Sequence, residues 1–313
     1  MSKLSACGMV AVVAVTACEP SDAPAEVATW GLDDATVVFE RRDSAGSGLF
    51  GLDRRTGDQT RLTPAASRNW SGRVSPDGER LLFISSRDGD YEVYVSGVDG
   101  LEPDNLTQHP DYDVVGAWSP DGARVAFMST RGFELGGEAG PFPGHVYVVD
   151  ADAGGLRQVT LEPLTSSLGP TDWSPDGRWL TIAREMDGQA DIFLLDVETG
   201  EEHRVTSDPS SEYGASFSRD GLHLAFHAED GSASRIVVSD LDGSNRRVVT
   251  PPGEVGYSPR WSPDDAWLLY TRLGEGPSEQ YDAVAVRVGD GVIIPIASTP
   301  ADERAADWWP AMR

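Results

Sequence analysis

The sequence predicts an all-β chain folded as a six-bladed β-propeller, closed by pairing of its C-terminal strand with its N-terminal three strands. Three observations predict it. A turn tetrapeptide returns at a near-constant interval, apolar strand residues follow each copy in fixed order, and the two chain ends carry complementary incomplete units. Repeats of roughly 40 to 50 residues signal stacked supersecondary units, with four strands to a unit in propellers.

The tetrapeptide is Ser-Pro-Asp-Gly, complete at residues 75–78, 119–122 and 174–177. It is degraded at Ser218-Arg219-Asp220-Gly221 and Ser262-Pro263-Asp264-Asp265. Successive serines stand 44, 55, 44 and 44 residues apart. Proline presets φ for a turn, aspartate bonds nearby backbone and glycine accepts positive φ, so each copy folds an innermost strand back onto the next. Recurrence in equivalent turns makes these aspartates turn-formers rather than catalytic groups.

An apolar residue precedes each serine: Val74, Trp118, Trp173, Phe217 and Trp261. The second strand places Phe83, Phe127, Ile182, Phe226 and Tyr270 eight residues beyond it. The third carries Tyr94, Tyr147, Phe193 and Val237, and the fourth ends 13 residues later at Thr107, Thr160, Thr206 and Thr250. Short alternating runs bounded by Gly and Asp are the strand signal. At the N-terminus Phe39, Phe50 and Thr63 repeat the last three strands, and Asp307-Trp308-Trp309-Pro310 echoes Asp172-Trp173-Ser174-Pro175 as a lone first strand. Five whole units and one split unit make six blades, and closure removes the sheet edges.

Ahead of the repeats, Met1-Ser2-Lys3 and the apolar run Leu4 to Ala14 lead into Val15-Thr16-Ala17-Cys18, which resembles a bacterial lipobox. Residues 1–17 are expected to be a lipoprotein signal peptide, Cys18 the lipidated residue, 18–33 a lipidated, disordered tether and 34–313 the propeller. An ordinary signal peptide cut nearby is the alternative. Cys7 falls in the removed segment, so Cys18 stands alone and no disulfide forms.

The formal net charge is −26, and Lys3 is the only lysine. Such a surface argues against nucleic acid and anionic headgroups as partners, and membrane contact is expected only through the N-terminal lipid. Solubility or a salty milieu accounts for the same charge.

Three groups of residues are candidates for function. The 55-residue interval carries an insertion, Phe133 to His145, with Phe133 and Phe142 expected to be exposed; it is a binding loop or a tolerated surface insertion. Five residues before the turn serine stand Trp70, Tyr213 and Tyr257, near the channel mouth, as a recognition ring or as packing between blades. Two before the serine, Arg73 and Arg260 join Asp307 as a compensated charge cluster where the ring closes, beside Trp308. The five histidines form no HExxH pattern, Gly-x-Ser-x-Gly is absent, and no cofactor is expected.

The pattern of an apolar residue, Ser-Pro-Asp-Gly, an apolar strand, a run such as Asp191-Ile192-Phe193-Leu194-Leu195-Asp196 and a closing Arg-x-x-Thr resembles the TolB-like propeller repeat, also called PD40 or WD40-like. The resemblance spans about residues 34–313. It implies an envelope protein, although TolB carries an α/β domain ahead of its propeller and is soluble in the periplasm. The TolA contact made through that domain does not carry over, and binding of the peptidoglycan-associated lipoprotein is an analogy only.

The chain is therefore expected to be a monomeric, non-enzymatic, lipid-anchored binding module of the bacterial envelope, presenting its loop face and channel mouth to a protein or glycan. The alternative is a propeller enzyme of polysaccharide-lyase or hydrolase type, because oligogalacturonate lyases and prolyl-oligopeptidase relatives contain similar propellers. The hydrolase domain of such peptidases is expected to be missing. One criterion separates the two. Three or more titratable or metal-ligating side chains converging at the mouth favour the enzyme, and an aromatic, loop-lined mouth favours binding.

Overall fold

Each turn serine closes its own hairpin. In all five copies the serine hydroxyl donates to the turn aspartate at 2.5–2.6 Å and accepts the N–H of the residue five further on at 2.8–2.9 Å. The serine hydroxyl holds the carboxyls of Asp77, Asp121, Asp176 and Asp220 below the usual range. Gly78, Gly122, Gly177 and Gly221 all have positive φ, as the turn requires.

The computed structural model describes residues 35–43, 46–64, 67–134, 142–165, 169–231, 233–274 and 280–309. Cys18, the leader and the tether lie outside them. The strands form six four-stranded antiparallel sheets. Blade 1 comprises Asn69–Val74, Arg80–Ser85, Glu92–Gly97 and Asp104–Asn105. Blade 2 comprises Asp113–Trp118, Arg124–Ser129, His145–Asp150 and Arg157–Gln158. Blade 3 runs through Asp172–Trp173, Trp179–Met186, Gln189–Asp196 and Glu202–Arg204. Blade 4 holds Ser211–Phe217, His223–Asp230, Ala233–Asp240 and Arg247–Val248, and blade 5 holds Gly256–Trp261, Trp267–Leu273, Tyr281–Arg287 and Ile293–Ala297. Blade 6 is the split one: Asp302–Trp309 pairs with Thr36–Asp43, followed by Gly46–Asp53 and Gln59–Arg61. No helix occurs among the described residues.

The constant 13-residue interval has a physical cause. The closing threonine hydroxyl accepts an N–H from the third strand in five blades: Thr63 from Leu49, Thr107 from Val93, Thr160 from Val146, Thr206 from Ile192 and Thr250 from Ile236, at 2.9–3.2 Å. Blade 5 has Ala297 there and lacks the bond.

The core lies between the blades. Six apolar clusters each join two neighbours, including one between blades 5 and 6 around Phe39, Trp267 and Trp308 and one between blades 6 and 1 around Leu49, Phe83 and Tyr94. Six interfaces for six blades mean that the ring is closed.

Candidate functional site

The innermost strands surround a central channel, and in five blades they are bulged against their partners. The register shifts between Trp70 and Arg73, Val114 and Gly116, Tyr213 and Ser216, and Tyr257 and Arg260; in blade 6 it shifts between Val38 and Phe39, opposite the C-terminal strand. Bulges re-aim side chains. Here they put Ser71 and Ser258 in the left-handed region, at φ 54° and 52°, a strain that commonly accompanies functional sites.

On the face where the innermost strands begin, the channel widens into a cavity of about 400 Å³ lined by Glu40, Trp70, His227, Tyr257, Tyr281 and Arg304, with Arg73 and Arg260 at its floor. His227 is buried, and burial pushes its imidazole down to about 4, so it is neutral at pH 7. Its Nδ1 accepts the Ser258 N–H at 3.3 Å, which leaves the ring proton on Nε2, 3.7 Å from Glu229. Burial raises the Glu229 carboxyl as well. Glu40 is buried too; burial raises its carboxyl against the opposing effects of a 2.8 Å hydrogen bond from Ser47 and of the Arg304 and Arg42 charges. The Arg304 guanidinium lies 4.2 Å over the Tyr281 ring, and its Nε is buried without a hydrogen-bond partner.

The structure distributes the sequence candidates unevenly. Trp70 and Tyr257 line the mouth, whereas Tyr213 stands behind it with its ring 5.6 Å from that of His227. Phe133 and Phe142 were expected to be exposed; both are half-buried, against His145 and Tyr112 respectively, and neither lines the cavity. Arg304, Glu40 and Tyr281 escaped the sequence reading, and His227 was considered only as one of five histidines without a metal-binding pattern. Counting five back from Trp309 reaches Arg304, the sixth member of the Trp70 series, and counting nine on from Ser218 reaches His227.

Arg73, Arg260 and Asp307 do meet at the waist of the channel, but not as ion pairs: neither arginine comes within 4.0 Å of a carboxylate among the described residues. Asp307 instead accepts the Val74 N–H of blade 1 at 3.0 Å, and Asp172 accepts the Phe217 N–H of blade 4 at 2.8 Å. At two other junctions a tryptophan indole makes the stitch, Trp118 donating to the Arg73 carbonyl at 3.2 Å and Trp308 to that of Arg260 at 2.9 Å, whereas the indole nitrogens of Trp173 and Trp261 are buried without a hydrogen-bond partner. The aspartates thus precede the two blades whose inner residue is Val74 or Phe217 rather than tryptophan. Among the described residues no three His, Cys, Asp or Glu side chains are grouped as a metal-ligand set.

The PD40 family, described as the TolB beta propeller domain, matches residues 20–168 and 144–306. The chain belongs to this TolB-like propeller family. It is 30% identical over 230 residues to the "Uncharacterized peptidase YuxL" of Bacillus subtilis, an alignment covering 73% of this chain but only 32% of that protein. Among solved structures, TolB from Acinetobacter baumannii superposes with a TM-score of 0.73 at 16% identity, covering 88% of this chain and 67% of that one. An oligogalacturonate lyase in complex with manganese superposes at 0.52 and 19% identity, over 85% of this chain and 73% of that one. Both structural likenesses concern the fold.

These findings correct the expectation of a non-enzymatic chain. A relative named as a peptidase shares sequence over most of this TolB-like propeller, and the mouth gathers Glu40, His227, Tyr257, Tyr281 and Arg304, which meets the enzyme side of the criterion set above.

Proposed function

We propose that this TolB-like propeller is an enzyme of lyase or hydrolase type that cleaves a carboxylate-bearing oligomer at its channel mouth by general acid–base chemistry. The observation that carries the reading is the convergence on one cavity of Arg304, whose Nη2 reaches Asp302 at 3.4 Å while its Nε has no partner, and two titratable groups shifted by burial, Glu40 and His227. Perturbed groups in a cleft are the usual mark of proton-transfer sites. Arg304, held over Tyr281, would bind the substrate carboxylate. Glu40, whose proton is retained to higher pH than usual, would protonate the leaving group. In hydrolysis water would add its oxygen to the cleaved carbon and return a proton to Glu40; in elimination the proton lost from the carbon beside the substrate carboxylate would pass to solvent water. Trp70 and Tyr257 offer ring faces to the chain on either side.

The test is turnover of a polyuronate, followed by the absorbance of unsaturated ends, and of acidic peptides, followed by new amino groups. Wild type should turn over one of them, Glu40→Gln should lower kcat by roughly 10²- to 10⁴-fold, and Arg304→Gln should chiefly raise KM. Absence of turnover by wild type, or an unchanged kcat in Glu40→Gln, would overturn the reading.

The reading includes a place in the bacterial envelope with Cys18 as lipid anchor, supported by the leader pattern and the TolB-like family. Cys18→Ala should move the protein from the membrane to the soluble fraction; unchanged fractionation removes the anchor.

A further inference from the structure

Arg260 is 6% exposed at the channel waist, and its Nε and Nη1 are buried without a hydrogen-bond partner. Arg73 lines the same two cavities, one on each side of the waist. Its Nη1 donates to the Gly72 and Ala306 carbonyls, while its Nε is buried without a partner. The charges lie close enough that Arg260, after burial, helps pull the Arg73 guanidinium down to about 9.

The carboxylates that face this pair are otherwise engaged. Asp307 accepts the N–H groups of Val74 and Trp308, and Asp172 accepts that of Phe217. Asp307 and Asp172 offset part of the Arg73 charge from a distance, yet the buried donors on both arginines stay unsatisfied, a costly arrangement in a protein interior, where polar groups are normally hydrogen-bonded. On the turn face the waist opens into a cavity of about 130 Å³, which admits a small ion. Guanidinium groups match the paired oxygens of an oxyanion rather than a spherical ion.

We propose that the channel waist binds one small oxyanion, of the phosphate or carboxylate class, between Arg73 and Arg260. Those arginines belong to blades 1 and 5, which flank the split blade 6. The bound ion therefore bridges the closure, and its binding stabilises the closed ring by linkage. The two arginines also form the floor of the mouth cavity, but the proposal does not use the acid–base chemistry of Glu40 and His227.

Thermal unfolding of the full chain at constant ionic strength tests it, with phosphate, acetate and chloride as separate arms and calorimetric titration of phosphate as the direct measurement. Phosphate, acetate or both should raise Tm saturably, by roughly 5 to 10 °C at a hundredfold excess over Kd, and chloride should not. The larger of the phosphate and acetate shifts identifies which source the site prefers. Arg260→Gln should be at least as stable as wild type without oxyanion and should lose the shift. Glu40→Gln, at the mouth, should keep it. If Arg260→Gln does not fold, the wild-type titration decides alone. No saturable binding, an equal shift from chloride, or a shift that survives in Arg260→Gln would overturn the proposal.

Discussion

Asp265 accepts the backbone N–H of Arg219 at 2.6 Å and that of Asp220 at 3.0 Å, tying the turn of blade 5 to the turn of blade 4. Both partners are departures from the repeat. Arg219 stands where the complete copies have proline, which has no N–H, and Asp265 stands where they have glycine. The second departure uses the donor that the first exposes. Asp265 adopts φ 56°, which costs about 1 kcal/mol in a non-glycine residue.

Restoring the repeat at one site alone should therefore not stabilise the protein. Asp265→Gly relieves the backbone but removes two hydrogen bonds, so Tm should stay level or fall slightly. Combined with Arg219→Pro, the change should cost less than the two single changes summed, with a coupling of about 0.5–1.5 kcal/mol in a double-mutant cycle by chemical unfolding. Strictly additive single changes would show that the two turns do not cooperate.

The blade count was legible because the hairpin chemistry of Ser-Pro-Asp-Gly and the 13-residue return to threonine are local and survive in sequence as spacing. The split blade was legible for the same reason, since Trp308 and Phe39 each carry the signature of a missing partner. The mouth was less so. Whether Tyr213 or His227 faces the cavity depends on the bulge between Tyr213 and Ser216, where the inner strand carries an extra residue against its partner, and a spacing shared by every blade does not reveal which side chain that extra residue turns inward. Asp307 was expected in a compensated charge cluster with Arg73 and Arg260 and lies beside both, but its hydrogen bonds go to backbone N–H groups. Its orientation is set by the blade beside it, where Val74 replaces the tryptophan that would otherwise make the stitch. Arg304 was reachable by counting five back from Trp309, but the C-terminal strand was aligned with the repeat only for the series that contains Asp307.

Ring closure rests on that strand. Asp302–Trp309 pairs with the N-terminal strand, Trp308 donates to the Arg260 carbonyl, and Trp309 donates to the Gly78 carbonyl of blade 1 at 3.1 Å. Deleting residues 305–313 should abolish the single cooperative transition, and calorimetry showing it unaltered would reject closure by this strand. A finer variant separates the stitch from the strand: Asp307→Ala strands the Val74 N–H and should cost about 1–3 kcal/mol, whereas Asp307→Asn keeps an acceptor and should cost less.

The closing threonines should carry measurable stability one blade at a time. Thr206→Val removes the acceptor of the buried Ile192 N–H while preserving shape, for an expected loss of about 1–2 kcal/mol. A urea midpoint identical to wild type would show that the hydroxyl is replaceable there.

His227 should impose a pH dependence with a definite sign. Its folded value of about 4 lies below the ordinary histidine value of 6.5, because the buried imidazole resists charge. The unfolded chain therefore takes up a proton first as pH falls. Stability from this residue is complete above 6.5, declines between 6.5 and about 4, and is flat below, for a total of about 3 kcal/mol. The raised carboxyls of Glu229 and Glu40 act in the opposite sense, since the fold favours their protonated forms. The turn aspartates, held below their ordinary 3.8, lose their contribution only at more acid pH. Subtracting the unfolding free energy of His227→Gln from that of wild type at each pH isolates the imidazole, because glutamine can still accept the Ser258 N–H. The difference should change across pH 6.5 to 4 and nowhere else, and parallel curves through that window would mean that the histidine is not held neutral by burial.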